Sequence, residues 1–83
     1  MAEIRIDITG FSFPANTGVA KGDTVMWTNK MRAHHTVTSD KDGEFDSGQL
    51  GPNQSFSYTF NEAGAFAYHC ENHPDMTGTV TVT

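Results

Sequence analysis

The sequence predicts an all-β fold, an antiparallel β-sandwich of about seven short strands. Apolar and polar residues alternate with a period of two over most of the chain. β-Branched and aromatic residues dominate the alternating segments, as strands prefer. No window as long as a typical helix keeps a helical period. Because one side of each alternating strand is polar, we expect each sheet to have one solvated face.

The alternating segments follow one another closely along the chain. In the first, Ile4, Ile6 and Ile8 point one way, and polar residues lie between them. The later segments are "TVMWT", "SFSYTF", "GAFAYHC" and "TGTVTVT". Turn-forming stretches separate them, namely "KGD", "KDG", "GPN" and "EAG". Residues 1–83 are therefore interpreted as a single domain.

Composition excludes several classes of function. Five Lys and Arg against ten Asp and Glu give a net charge of −5, which argues against nucleic-acid binding. No apolar run approaches the length of a membrane helix, so we expect no membrane insertion. A single cysteine cannot form the internal disulfide that stabilises many small domains. The acidic run Asp40, Asp42, Glu44 and Asp46 is interpreted as a solvated loop, with steering of a basic partner as the alternative.

The N-terminus leaves the cellular compartment open. "MAEIRID" enters a strand pattern directly and has no basic segment followed by an apolar one, as a signal peptide would. Either the protein stays in the cytoplasm, or a leader has been removed and Met1 added for expression.

The stretch "YHCENHPDM" concentrates metal-binding chemistry. It contains Cys70, the only cysteine, followed at intervals of three by His73 and Met76. Cys70 is predicted at the end of one strand and Met76 just before the next, so the intervening turn brings their side chains together. In "HHTVT", His35 shares its parity with Val37 and is expected to face the core.

Three explanations of the lone cysteine compete. It is a buried structural residue, a nucleophile assisted by His69 or His73, or a metal ligand. Structural zinc has no use for a thioether, whereas a thiolate with two imidazoles and a weak axial methionine is the donor set of electron-transfer copper. The set His35, Cys70, His73 and Met76 therefore predicts one copper ion. By parity, His34 faces outward and His69 points away from Cys70, so neither is expected to be a ligand.

The chain resembles the cupredoxins, the small blue copper proteins, and among them the amicyanin and plastocyanin branch. The resemblance runs from Phe11 to Thr83. It rests on "VAKGDTVMWTN", "HHTVTS" and "FSYTFNEAGAFAYHCENHPDMTGTVTV". The ligand loop Cys-x2-His-x2-Met has the short amicyanin length.

The resemblance implies a Greek-key β-sandwich of seven or eight strands with one type 1 copper near one end. His35, Cys70 and His73 would be equatorial ligands and Met76 the axial one. The family often has Pro-His-Asn at the first ligand, where this chain has His34-His35-Thr36. The asparagine normally ties the two ligand loops together; a threonine hydroxyl could do so with one fewer hydrogen-bonding group, and the sequence does not tell whether Thr36 takes this role.

The implied function is one-electron transfer between redox partner proteins, by cycling of Cu(II) and Cu(I), without enzyme activity. Partners would dock transiently near His73, in an apolar patch formed by Pro74, Pro52, Ala33 and Met31. The resemblance also implies a monomer in the periplasm or another extracytoplasmic compartment. Copper carriage or buffering with incidental redox activity is the alternative function. Catalysis by Cys70 would need a substrate pocket, for which a sandwich of this size has little room.

Overall fold

The computed structural model describes residues 1–83 and contains seven strands and no helix. None of its elements is therefore a helix with the length and apolarity needed to cross a membrane. The strands are β1 (Glu3–Ile8), β2 (Thr17–Val19), β3 (Thr24–Asn29), β4 (Thr38–Ser39), β5 (Ser55–Thr59), β6 (Gly64–His69) and β7 (Thr77–Val82). They form one sheet in the order β1-β3-β5 and a second in the order β2-β7-β6-β4. The predicted β-sandwich is confirmed.

The sheets are mixed, whereas the sequence predicted purely antiparallel ones. β1 runs parallel to β3, from the pair Glu3↔Thr24 to the pair Ile8↔Asn29, and β2 runs parallel to β7. The remaining pairs β3–β5, β4–β6 and β6–β7 are antiparallel. Period-two alternation reports which face a residue occupies and not the direction of its neighbour. The direction comes from the chain crossing to the other sheet for β2 before it returns for β3.

The core lies between the sheets and follows the predicted alternation. Fifteen buried apolar residues form one cluster. In β3, Val25 and Trp27 are completely buried, and Met26 between them is partly exposed. Trp27 donates its indole N–H to the Tyr68 hydroxyl of the facing sheet over 3.3 Å. Complete burial of one large apolar side chain stabilises a fold by about 1.5–3 kcal/mol, so this cluster is the main source of stability.

The β6–β7 pair leads into the metal-binding stretch. Tyr68 in β6 is directly opposite Gly78 in β7. A Cβ atom at position 78 would lie 2.8 Å from the Tyr68 hydroxyl and 2.8 Å from the Pro14 carbonyl. Glycine is therefore required there for the Tyr68 ring to cross β7. This close packing fixes the register of the two strands that carry the loop from Cys70 to Met76.

Candidate metal centre

The loop between β6 and β7 is closed by its own backbone. The Cys70 N–H donates to the Met76 carbonyl over 3.0 Å, and the Met76 N–H donates to the His73 carbonyl over 2.9 Å. The His73 N–H in turn donates to the Cys70 carbonyl over 3.3 Å. The three predicted ligands of this loop therefore have fixed backbone positions that do not depend on a metal.

A second loop carries His35. The His35 and Leu50 backbones exchange two hydrogen bonds, of 3.1 and 2.8 Å. The buried side chain of Asn29 at the end of β3 donates to the carbonyls of Ala33 and Leu50, each over 2.9 Å, and accepts from the Met31 N–H over 2.9 Å. Asn29 thus anchors the loop from both sides. This role of Asn29 was not predicted, because alternation along the strand marks it only as an inward position.

The structure brings together the donor atoms of His35, Cys70 and His73. All three lie within 4.8 Å of one another. The Cys70 Sγ is 3.5 Å from the Nδ1 of His73 and 3.7 Å from the Nδ1 of His35. A metal with bonds of about 2.3 Å to sulfur and about 2.0 Å to nitrogen, in a trigonal plane, separates such donors by about 3.7 Å. The observed spacing fits a metal ion bound between them.

His35 lacks the hydrogen bonds that a buried imidazole normally has. Its ring is completely buried and its Nε2 has no partner. Its Nδ1 has only the long contact to sulfur. Burial lowers the pKa of His35, and the nearby His73 lowers it further, which favours the neutral ring that binds a metal. The Nδ1 is the nitrogen that faces the other donors and is placed to bind a metal, which would leave the Nε2 still unpaired.

The residue after His35 links the two ligand loops. The Thr36 N–H donates to the Cys70 Sγ over 3.4 Å, which suits a thiolate that accepts hydrogen bonds. The Thr36 hydroxyl accepts from the Glu71 N–H over 2.8 Å and lies 2.9 Å from the Thr38 hydroxyl. Thr36 therefore links the two ligand loops, a role that the sequence left open. Such supporting bonds orient metal ligands and tune their chemistry.

Met76, the last residue of the ligand loop, faces the core. It is buried and belongs to the same apolar cluster as Cys70. Its backbone is bonded to both Cys70 and His73, as described above. A buried methionine whose backbone is bonded to two residues of the converging set suits the role of a weak axial ligand.

The other two histidines lie outside the converging set. His34 is exposed, and its carbonyl accepts from the side chain of Asn72 over 2.9 Å. The Nδ1 of His69 lies 2.6 Å from Asp40, and its Nε2 lies 3.6 Å from Glu71. The hydrogen bond to Asp40 raises the pKa of His69, an effect that burial opposes.

Phe11 contacts both histidines of the site, a contact that was not predicted from the sequence. Its ring centroid lies 5.1 Å from that of His73 and 5.5 Å from that of His35, both in edge-on geometry. Phe11 follows Gly10 in a turn, where the strand alternation stops. The one signal in the sequence is an aromatic residue directly after a turn glycine, and it does not indicate which residues the ring touches.

A β-sandwich that brings one thiol and two imidazoles together in this way defines a metal-binding β-protein of the small copper-protein class. A family model described as copper binding proteins, plastocyanin/azurin family, matches residues 2–83. The chain therefore belongs to the plastocyanin/azurin family of copper-binding proteins, which confirms the cupredoxin resemblance.

Individual relatives agree with this assignment. The chain is 40% identical over 74 residues to an amicyanin of Paracoccus denitrificans, a match that covers 77% of this chain and 52% of that protein. It is 33% identical over 82 residues to a plastocyanin of Scenedesmus fuscus, covering 83% of each. A solved structure of an amicyanin variant in its Cu(I) form superposes with a TM-score of 0.90 at 34% identity, covering 96% of this chain and 81% of that one. The chain spans about half the length of several curated relatives, including that amicyanin.

Proposed function

We propose that this protein carries single electrons between redox partner proteins, with one type 1 copper ion bound by His35, Cys70, His73 and Met76. The observation that carries the proposal is the convergence of one buried thiol and two imidazole nitrogens within 4.8 Å. Copper bound by these donors supplies the one-electron chemistry by alternating between Cu(II) and Cu(I). One electron enters from a reduced partner and leaves to an oxidised one, and no substrate is transformed.

The protein's contribution is to hold the ligands still. Their backbones are tied by the Cys70–Met76 and His35–Leu50 hydrogen bonds, and Thr36 joins the two loops. Ligands that move little between oxidation states keep the cost of electron transfer low, as pre-organised sites do. These same bonds favour retention of the metal over release, which supports electron transfer rather than copper carriage.

The route for electrons is proposed to pass through His73. His35 and Cys70 are completely buried, whereas His73 is only partly buried. An apolar rim beside it, which includes half-exposed Phe11 and exposed Pro74, suits a transient docking face. The net charge of −5 favours partners with a basic surface. By family resemblance, we propose a monomer in the periplasm or another extracytoplasmic compartment.

The test is a Cu(II) titration of the purified copper-free protein, followed by visible absorption and electron paramagnetic resonance. We expect an intense blue band that saturates at one copper per chain, with the narrow hyperfine splitting of a thiolate-bound type 1 site. Cys70→Ser is expected to abolish the band. His34→Ala, which removes an exposed histidine outside the converging set, is the matched control and should leave the band unchanged. A colourless complex with ordinary tetragonal Cu(II) signals would overturn the proposal.

Met76 and the carrier alternative need separate measurements. Met76→Leu is expected to keep copper bound and to raise the reduction potential, because it removes a donor that stabilises Cu(II). An unchanged potential would mean that Met76 is not the axial ligand. Release of copper to a chelator decides between the two functions: an electron carrier keeps its metal through many redox cycles, and a copper carrier gives it up readily.

A further inference from the structure

Phe11 has two energetically unfavourable features that its place in the fold does not explain. Its side chain is 51% exposed, and apart from Met1 it is the only large hydrophobic residue exposed to this extent. Its backbone φ of 55° lies in the left-handed region, which bulky residues seldom adopt. Strained residues persist where the surrounding structure enforces them, and they concentrate at functional sites.

The turn that carries Phe11 is well defined. The Ser12 N–H donates to the Thr9 carbonyl over 3.3 Å, so Gly10 and Phe11 are the two central residues of a tight turn. Their φ values of 63° and 55° match a type I′ turn, in which both central positions favour glycine or asparagine. Glycine would therefore suit position 11 better than phenylalanine as far as the turn is concerned. The aromatic side chain is present despite the local preference.

The turn is held from both sides by the core. Ile8 before it is completely buried, and Phe13 after it packs edge-on against Tyr68 at 4.7 Å. The Ile8 carbonyl accepts from the Lys30 N–H over 3.1 Å, which ties the end of β1 to the residue that follows β3. This bracket fixes the position from which the Phe11 ring projects.

The ring projects onto the two imidazoles. It is edge-on to His73 at 5.1 Å and 71°, and to His35 at 5.5 Å and 68°. The imidazoles themselves are 4.9 Å apart. Because Phe11 is half exposed and His35 is completely buried, the phenyl ring lies on the solvent side of the His35 imidazole. Edge-on aromatic pairs are favourable and directional, so the ring limits how the imidazoles can rotate.

We propose that Phe11 is a positioning residue, an aromatic clamp that holds the rings of His35 and His73 in their ligand orientation and shields His35 from water. The clamp acts in the copper-free protein as well as in the loaded one, because every contact described above is made within the chain. Its purpose as a support for metal ligands rests on the proposed function.

The decisive variant is Phe11→Gly, which suits the left-handed turn and removes the ring. We expect the copper-free variant to unfold at the same or a higher urea concentration than the wild type. We also expect release of copper to a chelator to become faster by roughly 10- to 100-fold, the range for loss of a group that supports metal ligands. The electron paramagnetic resonance spectrum should change as well. Phe11→Tyr keeps the ring and is the matched control, with release close to that of the wild type.

A second readout needs no copper. Side-chain couplings measured by nuclear magnetic resonance in the copper-free protein should show one rotamer of His73 in the wild type and in Phe11→Tyr. In Phe11→Gly they should show averaging over several rotamers. If Phe11→Gly does not fold, Phe11→Leu, which keeps apolar volume without the ring, replaces it in both measurements.

The two measurements separate the clamp from the proposed function. Wild-type release rates together with a single His73 rotamer in Phe11→Gly would overturn the clamp, and Phe11 would then be only a surface residue. A wild-type protein without type 1 copper signals would overturn the proposed function instead. The rotamer comparison would still decide whether the clamp exists.

Discussion

Buried polar side chains near the two ends of β3 differ in whether the chain supplies their hydrogen-bond partners. Before its first residue, both carboxylate oxygens of Asp23 accept backbone N–H groups, from Ala2 over 2.8 Å and from Ala20 over 2.9 Å. Beyond its last residue, the buried ring of His35 has a nitrogen without any partner. The first end is completed by the chain alone. At the second end the chain supplies no partner to the Nε2 of His35, and the Nδ1 has only a 3.7 Å contact to the Cys70 Sγ, where the proposed metal would bind.

The end of β3 near His35 can hold an unpaired side-chain nitrogen because hydrogen bonds fix the backbone of both ligand loops. Asn29 bonds to one carbonyl and one N–H of the loop before His35 and to the carbonyl of Leu50, the residue that pairs with His35, and the Cys70–Met76 loop closes on itself. Unmet side-chain bonds and the strained turn at Phe11 are therefore surrounded by a rigid frame. This arrangement is typical of functional sites, which depart from the local rules that hold elsewhere in a protein.

Copper binding should produce the largest change in stability, because it acts only at the end of β3 where a buried side chain lacks a hydrogen-bond partner. A ligand that binds only the folded state at a thousandfold excess over its Kd stabilises it by about 4 kcal/mol. We therefore expect anaerobic addition of Cu(I) to raise the free energy of unfolding by about that amount, measured by urea denaturation. Cys70→Ser should gain much less. Equal gains in the two proteins would mean that the metal stabilises some other part of the chain.

Asn29→Ala tests the frame around the site. The substitution leaves the Ala33 carbonyl without its donor and the Met31 N–H without its acceptor, and it removes one of the two hydrogen bonds that the Leu50 carbonyl accepts. We expect a loss of about 3 kcal/mol in the free energy of unfolding, since each buried group left unpaired costs about 1–3 kcal/mol and water replaces some of the bonds. Urea denaturation of the copper-free protein measures it. Asn61→Ala, at an exposed asparagine, is the control, and a similar loss there would contradict the assigned role.

Features of these regions that depend on residues close together in the sequence were predictable from the sequence. Alternation placed Val25 and Trp27 in the core, and it correctly separated buried His35 from exposed His34. The spacing of Cys70 and His73 within one short loop predicted their convergence. These inferences needed only neighbours along the chain.

Contacts between distant segments were not predictable in this way. The parallel pairing of β1 with β3 depends on how the chain crosses between sheets, which alternation does not encode. Phe11 is far from His35 and His73 in sequence, and its turn alone would favour glycine. Asn29 was recognisable as an inward residue, but its partners belong to loops whose course only the fold determines.

Asp23→Asn tests the end of β3 where the chain itself supplies the hydrogen-bond partners of the buried side chain. The N–H of Ala2, and then that of Ala20, hold the pKa of Asp23 below its ordinary value of 3.8. A lowered pKa in the folded state means that the stabilisation is complete above about pH 4 and is lost as the pH falls through the folded value. We expect Asn, whose amide has one acceptor oxygen, to lower stability at neutral pH and to weaken this acid dependence.

Thermal unfolding of copper-free protein at several pH values below 6 measures the effect. Asp7→Asn, at an exposed aspartate without a hydrogen-bond partner, is the control and should unfold like the wild type. An acid dependence in Asp23→Asn as steep as that of the wild type would assign the effect to other carboxylates.

The smallest effect concerns the outer side of β6, where His69 precedes Cys70 but faces away from the site. Asp40 accepts a hydrogen bond from His69 and thereby raises its pKa, and Glu71 adds a weaker attraction at 3.6 Å. Asp40→Asn should lower the pKa of His69 toward 6.5, and Glu71→Gln should lower it less. Nuclear magnetic resonance titration of the His69 ring in copper-free protein measures both.

The sign of the accompanying stability change follows from the raised pKa. The pair stabilises the fold fully below pH 6.5, and this contribution disappears as the pH rises through the folded pKa of His69. Because both partners are partly exposed, the contribution is at most about 1 kcal/mol. His69 therefore behaves like Asp23, with partners supplied by the chain itself. An unchanged pKa of His69 in Asp40→Asn would contradict this and would place His69 among the residues whose partner lies outside the chain.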